Sequence, residues 1–281
     1  MRRHVSESAI SRLMLAASMA GALAVAGCVG TPTSALERMG NAIDQGEMAI
    51  DDPHVIIDTL GPVDLEVDSF GGTIRIEAVP GMTGTVIEPV RRAFLGHLRR
   101  DEAEVSLDQI DYRIELREGD LDREVLVITT STTHAEPHFQ GVDFMIRTGE
   151  IGRVDVVTRR GHVWVKNNRR GVDIDTTYGD IRVVTDFPMN DAVTLVSKEG
   201  SVDYRVAPGS TGLYDIRTVG GEVYQRFTDA RVIALGLENG PSVFYGEVGD
   251  RDNPVTIRTT YADIRVSVVE NPTDCGPIIS E

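Results

Sequence analysis

His134 and His138 stand four residues apart with Glu136 between them, the only histidine pair at that spacing. On a helix, two such rings share a face, which is what zinc hydrolases need. Pro137 argues against a helix there, and Glu136 is not in the position that motif demands. The pair therefore reads as two loop histidines. Three acidic runs, Asp120/Asp122/Glu124, Asp186/Asp191 and Asp250/Asp252/Asn253, offer carboxylates to calcium. Calcium takes about six to eight oxygens, and its hand-type loops set a Gly and a distal Glu at fixed offsets. None of the runs has that pattern, nor the glycine-rich nonapeptide of calcium-binding β-rolls. They read as turn-forming and solubilising acids. Asp173, Arg182, Asp203, Arg217, Arg258 and Arg265 alternate in sign along the chain and read as outward ion ladders on a solvated face, each contributing little. No Ser–His–Asp order, phosphate loop or dinucleotide fingerprint is present. The expectation is no catalytic residue, no metal, no cofactor and no enzyme.

Composition narrows the partners. The chain has 281 residues, with 28 Lys+Arg against 44 Asp+Glu and a formal net charge of −16. Such an acid excess disfavours nucleic acid, whose phosphates need clustered Lys and Arg. Two cysteines build neither a disulfide framework nor a four-cysteine zinc site. Arg2, Arg3 and Arg12 precede an apolar run from Leu13 to Gly27, too short to span a bilayer as a mature helix. The run ends in Val25-Ala26-Gly27-Cys28, which resembles the lipobox of bacterial lipoproteins. That resemblance implies cleavage between Gly27 and Cys28 and acylation of the Cys28 thiol. It makes membrane lipid a partner through several acyl chains, where one chain would be marginal. Ordinary cleavage near the same small residues is the alternative, leaving Cys28 a free thiol. The leader carries three Arg and Glu7, net +2, so the remainder carries −18. Val29 stands where enterobacterial lipoproteins carry the Asp that retains them at the inner membrane, which favours the outer membrane in a host that has one. Cys275, in the tail, reads as a free thiol, with intermolecular pairing as the alternative.

The elements that must position any site come from a repeat. Alternating apolar residues, a small turn with Gly, then more alternating apolar residues recur as VDVVTRRGHVWV (154–165), VDIDTTYGDIRV (172–183), VTLVSKEGSVDY (193–204), YDIRTVGGEVYQ (214–225) and VTIRTTYADIRV (255–266). A degenerate copy lies at 233–245 and an early one at 63–76. Each reads as strand, tight turn, strand, with Gly161, Gly179, Gly200 and Gly221 at the turns because φ > 0 is cheapest without Cβ. A period of about 20 residues predicts an all-β, single-stranded β-solenoid, coil stacked on coil at about 4.8 Å, with a minor helix near the N-terminus. A run of hairpins in a sandwich is the rival. The expected organisation is a signal peptide at 1–27, lipidated Cys28 with tether or short capping helix through 54, repeats over 55–270, and a tail at 271–281. Residues 34–48 have helical spacing, 90–108 read as a short helix or irregular insertion, and strands are expected at 110–116 and 125–130. Trp164 and tyrosines 178, 204, 214, 224, 245 and 261 recur in the repeats, either stacking coil on coil or forming a sugar platform.

A lipobox followed by V-x-[IL]-x-[TS]-x-x-G-x-[IV]-x-[VIY] repeats resembles the bacterial putative-adhesin family, strongly over 150–268. The resemblance implies an extracytoplasmic β-repeat domain and surface interaction. It carries over no functional residue, since the motif is structural. Pro241 after Gly240 and Ala262 in place of a turn Gly depart from the pattern. The expected function is a non-catalytic cell-envelope lipoprotein whose surface meets an unidentified protein or glycan. The alternatives are a polysaccharide-active β-helix enzyme, or an accessory partner of an envelope signalling protein.

Overall fold

The computed structural model describes residues 47–119, 123–228, 230–236, 239–250 and 253–274. The leader, the lipobox, most of the 34–48 segment and Cys275 lie outside the described residues. Where 34–48 overlaps them, Glu47 and Met48 belong to a strand, not a helix.

Each repeat is a strand, a corner and a second strand, and the two strands lie in different sheets. In chain order the strands are β1 (Glu47–Asp51), β2 (Val55–Ile57), β3 (Val63–Ser69), β4 (Ile74–Ala78), β5 (Thr85–Phe94), β6 (Ile110–Glu118), β7 (Glu124–Thr132), β8 (Gln140–Thr148), β9 (Ile151–Arg160) and β10 (Val163–Lys166). They continue as β11 (Val172–Tyr178), β12 (Ile181–Thr185), β13 (Val193–Ser197), β14 (Val202–Val206), β15 (Gly212–Thr218), β16 (Val223–Phe227), β17 (Val232–Ala234), β18 (Val243–Val248), β19 (Pro254–Thr259) and β20 (Ile264–Val268). Sheet one runs β1-β5-β8-β4-β10-β12-β14-β20-β16, with β2 also on β5; sheet two runs β17-β18-β15-β19-β13-β11-β9-β3-β7-β6. Central neighbours pair parallel, while antiparallel strands close the ends, as β5 on β8 and β6 on β7 do.

This arrangement overturns the single-stranded solenoid. The chain forms two large, mixed, largely parallel sheets of ten strands each, and the stacking order departs from the chain order. The first repeat, β3–β4, sits between β7–β8 and β9–β10. The last, β19–β20, sits between β13–β14 and β15–β16. Both terminal repeats are therefore interior. The degenerate 233–245 stretch never crosses between sheets: β17 and β18 pair antiparallel within sheet two. The hairpin sandwich fails as well, since outside that degenerate stretch no repeat pairs its own two strands.

The physical reason lies in the inward rows. Val67, Val156, Ile174, Leu195, Ile257 and Ile216 are in direct register across sheet two. Ile74, Val163, Ile181, Val202, Ile264 and Val223 form the matching row of sheet one. Both rows face one shared core. Because every unit presents the same apolar steps, any unit can pack on any other; similarity between repeats does not encode their order. A third inward row is hydroxylic: Ser69, Thr158, Thr176, Ser197, Thr259 and Thr218. It lies buried at the corners, and all of its members but Thr176 donate to corner carbonyls, as from Ser197 Oγ to Gly179 (2.9 Å) and Thr259 Oγ1 to Gly200 (2.9 Å). A buried carbonyl left unpaired would cost about 1–3 kcal/mol, so these hydroxyls stabilise the corners.

Within 90–108 the chain finishes β5, passes a 3-10 turn and forms one short helix, α1 (Arg100–Ser106), followed by another 3-10 turn. Helix α1 packs Ala103 against β1 and β5 at one end of the stack. Gln140 Nε2 donates to the Ser106 carbonyl (2.7 Å), tying it to β8. Strands β6 and β7 contain the two segments expected at 110–116 and 125–130.

Candidate functional site

Gly161, Gly179, Gly200 and Gly221 all lie at corners between paired strands. The reason they must be glycine differs from the one the repeat suggested. Of the four, only Gly161 has a left-handed φ, +121°. The others are held by close approach: a Cβ on Gly179 would lie 2.0 Å from the Gly161 carbonyl oxygen, and one on Gly200 1.8 Å from that of Gly179. Gly221 meets the Ala262 carbonyl in the same way, at 2.1 Å. Side chains one residue later bridge adjacent corners, as where the Ser201 N–H donates to Asp180 Oδ1 (2.8 Å) and the Glu222 N–H to Asp263 Oδ1 (2.9 Å).

The residues that could do chemistry are engaged otherwise. The Glu136 N–H donates to His134 Nδ1 (3.0 Å), His138 lies against Phe139, and the Glu136 carboxylate accepts from Arg99 (2.8 Å). Asp186 accepts from Thr273, Asp191 pairs with Arg170 and Asp250 with Arg231. Asp120, Asp122 and Asp252 lie outside the described residues. Among the described residues no group of three His, Cys, Asp or Glu is placed to hold a metal ion. Tyr204 and Tyr214 are fully buried in the core, where burial raises their phenol pKa and keeps them neutral. Trp164, Tyr178 and Tyr261 remain outside at 38, 41 and 64% exposure.

A cleft of about 540 Å³ opens at the corner opposite the glycines, between the loops that hold Met82, Asn167, Arg169 and Phe187. Arg169 lies 4.1 Å over the Phe187 ring and pairs with Glu150 (3.5 Å). Its walls are mainly backbone and apolar atoms, with no nucleophile–base pair.

The six charged residues that alternate along the sequence divide between two opposite faces: Asp173, Arg217 and Arg258 on sheet two, Arg182, Asp203 and Arg265 on sheet one. On sheet two, Glu66, Asp155 and Asp173 are in direct register on β3, β9 and β11. Asp68 and Asp175 flank Val157 in the next row. Burial raises the Asp155 carboxyl above the ordinary range, with Asp173 and Glu66 adding to it and Arg153 opposing. Protonation is thus easier in the folded than in the unfolded chain, so ionised Asp155 weakens the fold above the unfolded carboxyl's pKa. Asp155→Asn should therefore stabilise the protein at pH 7, and the gain should vanish near pH 3. Urea titrations at both pH values check this.

The outer face of sheet one is the reverse. Seven adjacent strands each contribute one cation: Arg147 (β8), Arg75 (β4), Lys166 (β10), Arg182 (β12), Arg205 (β14), Arg265 (β20) and Arg226 (β16). Asp143, Glu77 and Asp203 are the acids on those strands, so across these seven strands cations exceed acids by four in a strongly acidic protein, and on the neighbouring β5 Glu88 pairs with Arg147. Arg75 lies 4.1 Å over the Trp164 ring and Arg265 lies 6.0 Å over Tyr224. Lys166 pairs with Glu77 (2.7 Å), and Asp203 with both Arg205 (2.9 Å) and Arg182 (3.5 Å). Reading along the chain missed this set of cations because its members are neighbours only once the repeats are stacked out of order. Aligning the second strand of each repeat alone (TIRI, HVWVK, DIRV, VDYR) would have exposed it.

The outer face of sheet one thus presents side chains from adjacent strands and no acid–base pair set around a cleft. Comparison with solved structures agrees with that scaffold. A putative cell adhesion protein from Clostridium sporogenes ATCC 15579 superposes with a TM-score of 0.52 at 12% identity, over 79% of this chain and 100% of that one. The chain is similar in fold to a solved cell-adhesion candidate. A putative adhesin from Bacteroides fragilis NCTC 9343 also matches, with a TM-score of 0.28, 11% identity, and 79% and 97% of the two chains covered. No family model matches the sequence. No curated protein matches it either. The resemblance read from the repeats is therefore supported by the fold shared with the clostridial protein. No helix among the described residues is long and apolar enough to cross a membrane.

Proposed function

We propose that this chain is a non-catalytic adhesion-type protein of the bacterial cell envelope, held to a membrane by acylated Cys28, with its outer sheet faces as contact surfaces. The single observation that carries the reading is the charge division of the two-sheet slab, one cation on each of seven adjacent strands of sheet one against the acid rows of sheet two. Support comes from the fold it shares with the clostridial protein described as a putative cell adhesion protein. His134, Glu136, Asp191 and Asp250, the candidates for metal or acid–base chemistry read from the sequence, are engaged in ion pairs and turn contacts.

Two measurements test it. Cys28→Ala should move the protein from the membrane to the soluble fraction with an unchanged far-UV spectrum, and the wild type should carry a lipid mass increment. A variant that still partitions with membranes, beside a wild type without that increment, removes the anchor. The purified chain should turn over no soluble or cell-wall polysaccharide in reducing-end assays, with or without calcium or zinc. Product formation that is lost on changing one outward Asp, with the fold retained, would place the protein among the enzymes.

A further inference from the structure

Resting on the reading of the outer faces as contact surfaces, we infer that the outer face of sheet one is a track for an acidic polysaccharide, lying across the strands from β8 to β16. Strand pairing sets the cations in two parallel rows two residues apart, Arg75, Arg182 and Arg265 in one and Arg147, Lys166, Arg205 and Arg226 in the other. Cations of one row recur on every second strand, about 10 Å apart, and the two rows together place one on each of seven strands. A polymer with a carboxylate or sulfate on each unit meets such rows many times, and each contact adds to the others as multivalent binding does. The acids on this face position the cations: Asp203 holds Arg182 and Arg205, and Glu77 holds Lys166, so the side chains are ordered before a ligand arrives.

The net charge of −16 does not cancel this face. The charged side chains stand on the two outer faces, so their separation exceeds the about 10 Å between packed sheets, and the path through solvent around the slab is longer than the screening length of about 8 Å at physiological salt. The acid rows of sheet two are therefore largely invisible to a polymer on sheet one. The aromatic residues distinguish the polymer class. Trp164 and Tyr224 lie in the same row as Arg75, Arg182 and Arg265; the row reads Arg75-Trp164-Arg182, then Asp203, then Arg265-Tyr224, so rings and cations alternate on either side of one carboxylate. Rings interleaved with charges suit sugar units, which present apolar faces and hydroxyls together. A lipid bilayer is a different case, because insertion takes exposed apolar side chains and this face presents cations around one half-covered Trp.

The test uses the full chain and measures binding to polygalacturonate, heparin, neutral dextran, single-stranded DNA and phosphatidylglycerol vesicles at 50 and 300 mM NaCl. Expected is binding to the two acidic polysaccharides, none to dextran, and a loss of at least tenfold in affinity at the higher salt. Arg182→Glu with Arg265→Glu should lower affinity at least tenfold, while Arg117→Glu on β6 of the other sheet should leave it unchanged. Absence of binding to both acidic polysaccharides at 50 mM salt overturns the inference, as does equal loss in the Arg117 variant. Tighter binding to DNA or to the vesicles than to either polysaccharide also overturns it. Retention of the chain by envelope material that the double variant abolishes, without binding to either acidic polymer, rejects the polymer and leaves the contact-face reading standing.

Discussion

Gly179→Val will cost about 4 kcal/mol or more in unfolding free energy, at the upper end of what one substitution does. The corner of β11–β12 lies so close to the preceding one that a Cβ at 179 would meet the Gly161 carbonyl oxygen at 2.0 Å. The obstacle is backbone, which no rotamer change can move. Gly179, Gly161 and Gly72 form one continuous stack of close approaches, so relief at one corner passes to the next. Gly81 supplies the contrast. Its φ is +82° with nothing within 4 Å of a new Cβ, so Gly81→Ala should cost only the left-handed strain of about 1–2 kcal/mol. Asp173→Ala, on a solvated face, should stay within about 0.5 kcal/mol. Urea unfolding of the three variants checks the ranking; equal losses at 179 and 81 would mean that the corners are not in contact.

A chain ending at residue 253 will not fold cooperatively. The truncation removes β19 and β20, which are interior strands: β19 pairs with both β13 and β15, and β20 with both β14 and β16. Without them Leu195 and Ile216 lose the Ile257 that separates them, and two sets of parallel strands lose their ladder partners. Closing the gap would need one block to move by about one strand spacing, about 5 Å in both sheets at once, against its covalent connections. In an array stacked in chain order the last repeat touches one neighbour, and its loss shortens the array without dissolving it. Circular dichroism and urea titration of the truncated chain distinguish the two: no cooperative transition is expected, and a native-like transition of reduced amplitude would contradict the inserted position of the last repeat.

Much of the local structure was legible in the sequence. The near identity of TTYGDIRV (176–183) and TTYADIRV (259–266) marks two equivalent strand–corner–strand units, and both fold that way. The alternation of Val172, Ile174 and Thr176 gave the inward face of β11, including the hydroxyl whose position at the end of each first strand builds the buried corner row. Neighbour identity was not legible, for the same reason that the repeats were. Val156, Ile174 and Leu195 present nearly the same steps, and nothing in a step says which other step lies against it. Register between distant units is decided by connections and by the end strands, where the repeat is weakest. The cation set on sheet one was hidden by that gap: Arg205 and Arg265 are sixty residues apart in the chain and on adjacent strands in the sheet. The turn glycines were found but misread. Sequence spacing places a residue without Cβ at the corner; only the stacked neighbours distinguish a left-handed φ at Gly161 from a carbonyl pressed against Gly179.

The central claim is that both terminal repeats are locked inside a two-sheet scaffold. Native-state hydrogen exchange, resolved by peptide, measures it most directly. Amides of β19 and β20 (254–268) and of β3 and β4 (63–78) should exchange as slowly as those of β11 and β12, through global unfolding alone. Exchange that is fast at 254–268 and slows progressively toward 172–185 would mean that the chain frays from its last repeat inward, and the inserted architecture would be wrong.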